Sequence, residues 1–539
     1  MKAQPRRLSI ITAICLCSAG LGRADLAGRI NAIISQPSQK NVQFSIHVVK
    51  ADSGQTIYSH NATEPLIPAS NMKIIVSAAA LRYLGPDYVY KTQVGLVGDT
   101  LVIVGSGDPL LGDATTDAKY NREQDWIFKD IVAALKHRGL TAINNIAVDT
   151  SVFDDQRVHP SWPRKELNRW YACEVSGLNF NDNCVQLTVK NISGQVTVLI
   201  EPQTSYVALI NKVIPTLKGD SVVGSYRTST PNKLIVHGRC RKQGGPFDVA
   251  IQKPAGLFAF MLAERLAQAG IQTRGKIVDY TLTPEANIKT ILEFNTPLTD
   301  CLARCNKNSL GLAAEALLKT IAAHSQPNKK GGSWAKGRQV ISQHLSKLGI
   351  QDDEFYIDDG SGLSRKNKLS ANAITTVLSD VYRSGSWTLY MDSLAVGGVD
   401  GTIRRYFKEE EYNGKILGKT GYLSGVKSFS GVCTTDQGDY IFSILTNKAN
   451  GGTREVINDI AKAIVDGAEG PTSGNSRGGY VSTSRPFRYL HYRLKYTIGP
   501  LSYIFLSHCS GAGFTTESNN GSSRKSSSTP TITADGGDS

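Results

Sequence analysis

Metal-ligand spacing is what this 539-residue chain most plainly lacks. Its nine histidines are scattered and its nine cysteines form no Cys-x-x-Cys pair, so the sequence predicts neither a metal site nor a cofactor. Cys15 and Cys17 fall near the N-terminus. The other seven cysteines, an odd number at wide intervals, exclude a disulfide framework, although a single Cys173–Cys184 bridge stays open. A strong one-signed charge is missing as well. The formal charge is +14, but residues 1–24 hold four basic residues and no acidic one, and residues 470–539 hold seven basic and three acidic. What remains for residues 25–469 is +6, a surplus too small to argue for a nucleic-acid partner.

What is present begins with "MKAQPRRLSIITAICLCSAGLGRADL": Lys2, Arg6 and Arg7, an apolar run from Leu8 to about Cys17, then Gly22 and Ala24 placed for cleavage. This pattern predicts a secretory signal peptide over residues 1–24, hence an exported protein, periplasmic or associated with the cell envelope. The small residues that a lipid anchor would need ahead of Cys15 or Cys17 are absent. At the other end, residues 469–539 are rich in Gly, Ser, Thr and Asn and predict a disordered, low-complexity tail. Its patch "RPFRYLHYRLKYTIGPLSYIFLSHC" mixes basic and aromatic residues and falls far short of the roughly 20 residues that span a bilayer. Contact with anionic lipid or wall polymer is one reading of this tail; a plain accessory segment is the commoner one.

Between the ends the patterns alternate. Leu26–Ser35 reads as a short amphipathic helix, and "VQFSIHVVKADSGQTIYSH" as two strands joined at Asp52-Ser53-Gly54. From about residue 90 to 290, β-rich runs such as "TLVIVGSG", "VQLTVK" and "KLIVHG" alternate with turn residues. Helical patterns return at Leu257–Ala269, Ser309–Ala323 and Lys336–Leu348. A hairpin-like "GVCTTDQGDYIFSILTN" and a helix from about Arg454 to Val465 close the ordered chain.

Within "LIPASNMKIIVSAAALRYLGP", Ser70 and Lys73 stand three residues apart at the head of an apolar helix that Gly85-Pro86 stops. On one helix face, with its amine desolvated, such a lysine is able to take a proton from the serine hydroxyl. An N-cap serine followed by a solvated lysine is the commoner meaning of the spacing, which recurs at Ser333–Lys336, Ser424–Lys427 and Ser522–Lys525. Three further segments single out the first copy. "CNKNSLGLAAEALLKTIAAH" puts Ser309 at the head of a second apolar helix, "DDGSGLSRKNKLSA" forms a tight Gly/Ser loop, and "GKILGKTGYLSGVKSFSGV" carries Lys419-Thr420-Gly421 on a late strand. Ser-x-x-Lys, a later serine at a helix head, and Lys-Thr-Gly, in that order, form a far more specific signal than any one of them.

In these motifs the chain resembles the penicillin-binding D-alanyl-D-alanine carboxypeptidases and endopeptidases of low molecular mass, class C, which carry a long insertion after the nucleophile helix. The resemblance covers roughly residues 25–468 and extends to "GSGDPLL" (105–111), "VSGLNFNDNCVQLTV" (175–189), "DGSGLSR" (359–365) and "GGVDGTIRR" (397–405). It implies an α/β (α+β) fold with a β-lactamase/transpeptidase-like core, an antiparallel sheet flanked by helices, plus inserted mainly β domains. Residues 25–90 and 291–468 would be the two halves of the core and 91–290 the insert. By the same resemblance Ser70 would be the nucleophile and Lys73 its base, and Ser309 would relay a proton to the leaving amine. Lys419, Thr420 and Gly421 would bind the substrate carboxylate and backbone, and the N–H groups of Ser70 and Tyr422 would form the oxyanion hole. The implied substrate is the peptidoglycan stem peptide, with β-lactam antibiotics trapped at the same serine.

One position departs from the family pattern. Two residues after the second serine the family has an asparagine, whereas this chain has Gly311. A missing amide predicts a slower enzyme or one of altered specificity, a Gly311→Asn variant with raised turnover, and a water or Asn308 in the vacated role. Two rivals follow: a β-lactamase or esterase of the same fold, and a wall-binding protein that kept the fold without the activity.

Overall fold

The computed structural model describes residues 25–281, 283 and 287–468. The signal peptide expected over 1–24, the tail over 469–539 and the Ser522–Lys525 copy lie outside the described residues.

A six-stranded antiparallel sheet is built from both ends of the described chain. Its order is Ala395–Val396, Ile416–Leu423, Val426–Thr435, Gly438–Asn447, Gln43–Lys50, Thr56–His60. Phe44 pairs with Thr446 and Val48 with Phe442, so the early hairpin completes a sheet whose other strands lie nearly 400 residues later. The central strands alternate between two cores, as period-2 geometry requires. Ile441 and Leu445 face the helices Met72–Leu84 and Ala371–Arg383; Phe442 and Ile444 face Leu26–Ile34 and Thr453–Ala468. Helices on both faces explain why Gln43–Lys50 is a nearly unbroken buried run.

Met72–Leu84 is buried all round from Met72 to Leu81, Lys73 included, which goes beyond the partly buried face expected from sequence. Its small residues Ala78, Ala79 and Ala80 let the helices Gly311–His324 and Leu298–Asn306 pack close to it in one apolar cluster. Gly85 ends it at φ +86, a backbone setting that side chains resist.

The segment between Val89 and Pro297 has an apolar cluster of its own. Strand Val89–Val97 pairs antiparallel with Lys289–Pro297, bracketing the segment inside a five-stranded sheet, and two three-stranded sheets follow from Cys184 to Ala250. The β-rich expectation stands for most of it. Helix Trp126–His137 was not anticipated there, although Ile127, Ile131 and Leu135 mark one buried face at helical spacing. The Cys173–Cys184 bridge is not made: both are buried free thiols, packed as small apolar side chains in the main cluster.

Candidate active site

The chain enters helix Met72–Leu84 through a single 3-10 turn, Ala69–Asn71, with Ala69 fully buried at φ +47. This turn sets Ser70 just ahead of the helix, so Lys73 reaches back along the same face. Lys73 Nζ donates to Ser70 Oγ at 3.2 Å and to the Ser361 carbonyl at 2.6 Å. The lysine is 2% exposed, which excludes the solvated partner of a capping serine. Burial pushes its pKa below the ordinary lysine value, against the opposing pull of Cys305, Glu315 and Asp359. The two other Ser-x-x-Lys copies among the described residues are structural. Ser333 caps helix Trp334–Lys347 by accepting from Lys336 N, and Lys427 donates to the carbonyls of Asn450 and Gly451.

Ser309 lies two residues ahead of helix Gly311–His324, in left-handed backbone at φ +61, close to the helix-head position expected. Lys419 Nζ, on strand Ile416–Leu423, donates to Ser309 Oγ at 2.9 Å and to the Thr420 carbonyl at 2.8 Å. Lys419 is fully buried, and desolvation together with the nearby Lys73 pushes its pKa well down. Gly421 is where this strand passes the Ser70 turn. A Cβ there would lie 2.9 Å from the Pro68 carbonyl and 3.0 Å from Ser70 N, and would overlap Ser428 Oγ. Arg454, from the last helix, donates to the Gly421 carbonyl at 3.0 Å and holds the strand from behind. Tyr422, next along, is 71% exposed at the mouth.

Three groups at this site carried no role in the sequence. Thr402, inside "GGVDGTIRR", meets Thr420 hydroxyl to hydroxyl at 2.9 Å. Glu315 and Asp359, both fully buried, hold the backbone of the "DGSGLSR" loop, and that loop supplies the Ser361 carbonyl to Lys73. The segments were legible as motifs, but only folding brings them together.

Gly311 also has a packing context beside the missing amide. A Cβ on it would sit 3.0 Å from the Tyr171 carbonyl oxygen and 3.8 Å from Ser361 Cβ, so a side chain there requires the backbone of the Trp170–Ala172 turn to give by a few tenths of an ångström. Asn308 does not move into the vacated role. It is exposed and lines a neighbouring cavity of about 640 Å³ with Arg304, Leu310, Trp170, Asp113 and Asp182; Ser70, Lys73, Ser309 and Lys419 are not part of that lining.

Residues 26–468 match the model of the D-Ala-D-Ala carboxypeptidase 3 (S13) family. Among similar proteins, a D-alanyl-D-alanine carboxypeptidase of Actinomadura sp. (strain R39) is 26% identical over 471 residues, which cover 82% of this chain and 84% of that protein. D-alanyl-D-alanine carboxypeptidase DacB of Haemophilus influenzae is 25% identical over 429 residues, covering 75% and 85%. The crystal structure of penicillin binding protein 4 (dacB) from Haemophilus influenzae shares the fold, with a TM-score of 0.69 at 21% identity over 81% of this chain and 98% of that one. A structure of the same protein complexed with a β-lactam gives a TM-score of 0.63. With its Ser-Lys, Ser and Lys-Thr-Gly groups gathered around one turn, and a family match across nearly all of the described residues, this chain belongs to the D-Ala-D-Ala carboxypeptidase 3 (S13) family.

Proposed function

We propose that the protein is a serine-type D-alanyl-D-alanine carboxypeptidase that acts on peptidoglycan stem peptides through an acyl-enzyme on Ser70. The contact of Ser70 Oγ with a fully buried lysine carries this reading, because an amine kept from water loses its proton more readily and becomes a base. Ser70 Oγ attacks the carbonyl carbon of the penultimate D-alanine as its proton passes to Lys73 Nζ. The oxyanion is met by the N–H groups of Ser70 and Tyr422. The C–N bond then breaks, and Ser309 relays a proton to the departing amine of D-alanine. Lys419 and Thr420 receive the terminal carboxylate, whose negative charge favours the protonated form of the buried lysine. Water hydrolyses the ester to complete the cycle, and a β-lactam, which keeps its leaving group tethered, stays on Ser70.

In this proposal residues 25–90 and 291–468 form the catalytic core and 91–290 the inserted β-rich domains, a division supported by the separate apolar cluster of the insert. Export by the N-terminal leader places the enzyme with its substrate in the periplasm or cell envelope. For the basic tail, contact with wall or membrane is the secondary reading beside a plain accessory segment.

Labelling by a fluorescent penicillin tests the proposal, with the mature protein set against Ser70→Ala and both labelling and release followed. Stable labelling lost in the variant is the expected result. Rapid release of hydrolysed penicillin would instead favour a β-lactamase, and no labelling of folded protein would favour a wall-binding protein.

A further inference from the structure

Besides Ser70, the hydrogen-bond partner of the Lys73 amine is the carbonyl of Ser361, 2.6 Å away. That carbonyl is held from behind. The Ser361 C=O and the Gly362 N–H belong to one peptide group, and the N–H donates to Asp359 Oδ1 at 2.8 Å. A chain therefore runs from carboxylate through peptide to amine, and bonds in such a chain polarise one another. Asp359 accepts three more donors: Ser364 N at 2.7 Å, Asn367 Nδ2 at 2.7 Å and Trp162 Nε1 at 2.8 Å. Glu315, in helix Gly311–His324, secures the preceding backbone by accepting from Ser361 N at 2.7 Å and Gly360 N at 2.9 Å, and from Trp334 Nε1 at 2.7 Å.

Both carboxylates are fully buried. Each of these seven partners is a donor, a set that an ionised carboxylate satisfies as a pure acceptor. An amide in place of Glu315 would turn an NH₂ toward an N–H in either orientation. The titratable groups facing Lys73 are Cys305, Glu315, Asp359 and Lys419, and those facing the two carboxylates include His159, Cys173 and Lys319.

We infer that Glu315 and Asp359 are positioning residues for acylation: through the backbone of Ser361 and Gly362 they fix the Lys73 amine against Ser70 and supply the counter-charge that sets the pH at which it becomes a base. The inference rests on the assignment of Ser70 and Lys73 above. Burial, and then the neighbouring Asp359, raise the Glu315 pKa to about 7, so its charge is complete only above that pH; there the charges near the amine favour its protonated form, and loss of either makes the base available at lower pH.

The experiment is the rate of acylation by fluorescent penicillin from about pH 5 to about pH 10, covering the titration of a perturbed lysine. It compares wild type with Glu315→Gln, Asp359→Asn and Glu315→Asp. In Glu315→Gln and Asp359→Asn the acid limb moves down by about one pH unit, and the plateau rate falls about tenfold as the amine loses its fixed position. Glu315→Asp keeps the charge but shortens the reach, so its limb stays and only its plateau falls. A uniform fall in rate with an unmoved limb in folded Glu315→Gln overturns the inference, because a purely structural role lowers the rate at every pH alike. Should the two amide variants fail to fold, an unchanged plateau in Glu315→Asp overturns it. A wild type that penicillin does not label, or a Ser70→Ala variant that it does, removes the assignment of Ser70 instead.

Discussion

Gly311→Asn separates two accounts of the same residue. From chemistry alone, asparagine restores an amide and speeds the reaction. The structure predicts the opposite. A Cβ at position 311 meets the Tyr171 carbonyl at 3.0 Å, so that oxygen has to withdraw by a few tenths of an ångström. The turn carrying it is anchored on several sides. Tyr171 Oη donates to Glu166 at 2.6 Å, Ala172 N donates to the Arg169 carbonyl, Arg169 bridges to Val249, and Ala172 is 1% exposed. Overpacking against a pinned neighbour costs about 1–3 kcal/mol. Against this stands the gain from removing glycine at a helix start, at most about 1 kcal/mol. The net expectation is a loss of about 0–2 kcal/mol for Gly311→Asn, and a smaller loss for Gly311→Ala, which adds the Cβ alone. Gly311 directly follows the Ser309–Leu310 segment and begins the helix that carries Glu315, so the same push displaces both. Acylation should slow about tenfold. Urea midpoints and penicillin acylation rates for the two variants supply the check. Faster acylation by Gly311→Asn with an unchanged urea midpoint refutes the packing explanation and restores the missing-amide account.

Two more expectations follow from single contacts. Gly362 sits at φ +80, and a Cβ on it would overlap the Ala69 carbonyl in the turn that presents Ser70. Gly362→Ala should therefore lose acylation by about 100-fold or more while the sheet core still folds, as followed by penicillin labelling alongside circular dichroism; labelling at the wild-type rate would show that the loop and turn do not constrain each other. Asp108 is buried, and desolvation raises its pKa to about 6, with Thr296 and Leu110 N as its hydrogen-bond donors. A raised carboxyl pKa contributes stability that is complete below the unfolded value near 3.8 and lost as pH rises through about 6. Asp108→Asn, whose carbonyl accepts from Leu110 N and whose NH₂ can donate to a Thr296 hydroxyl turned to accept, should gain on wild type by about 2–3 kcal/mol between about pH 4 and about pH 8 in urea unfolding; a difference that does not change with pH would contradict the assignment.

The residues legible in sequence were those whose meaning is local. Ser70 and Lys73 share a helix turn, and the apolar run behind them announces that helix. Lys419 to Gly421 were placed on a strand by their neighbours, and the early and late hairpins were visible from alternation and turn residues. Helix Trp126–His137 also had its pattern in the sequence, but stood in a region dominated by strand-like runs. Thr402, Glu315 and Asp359 escaped because nothing in their own segments distinguishes a side chain that closes a site from one that closes a core.

By itself, then, the sequence determined the helix with its serine and lysine, the order of the three motifs and the family they resemble. These depend on spacing along one segment, which backbone geometry converts directly into a shared face. Only the tertiary structure decided that Lys73 is dry, that its amine rests on the Ser361 carbonyl, and that Gly311 makes room for the Tyr171 backbone. Burial and backbone approach are properties of packing between segments far apart in the chain. They set proton affinity and available space, and the spacing of residues along one segment does not specify them.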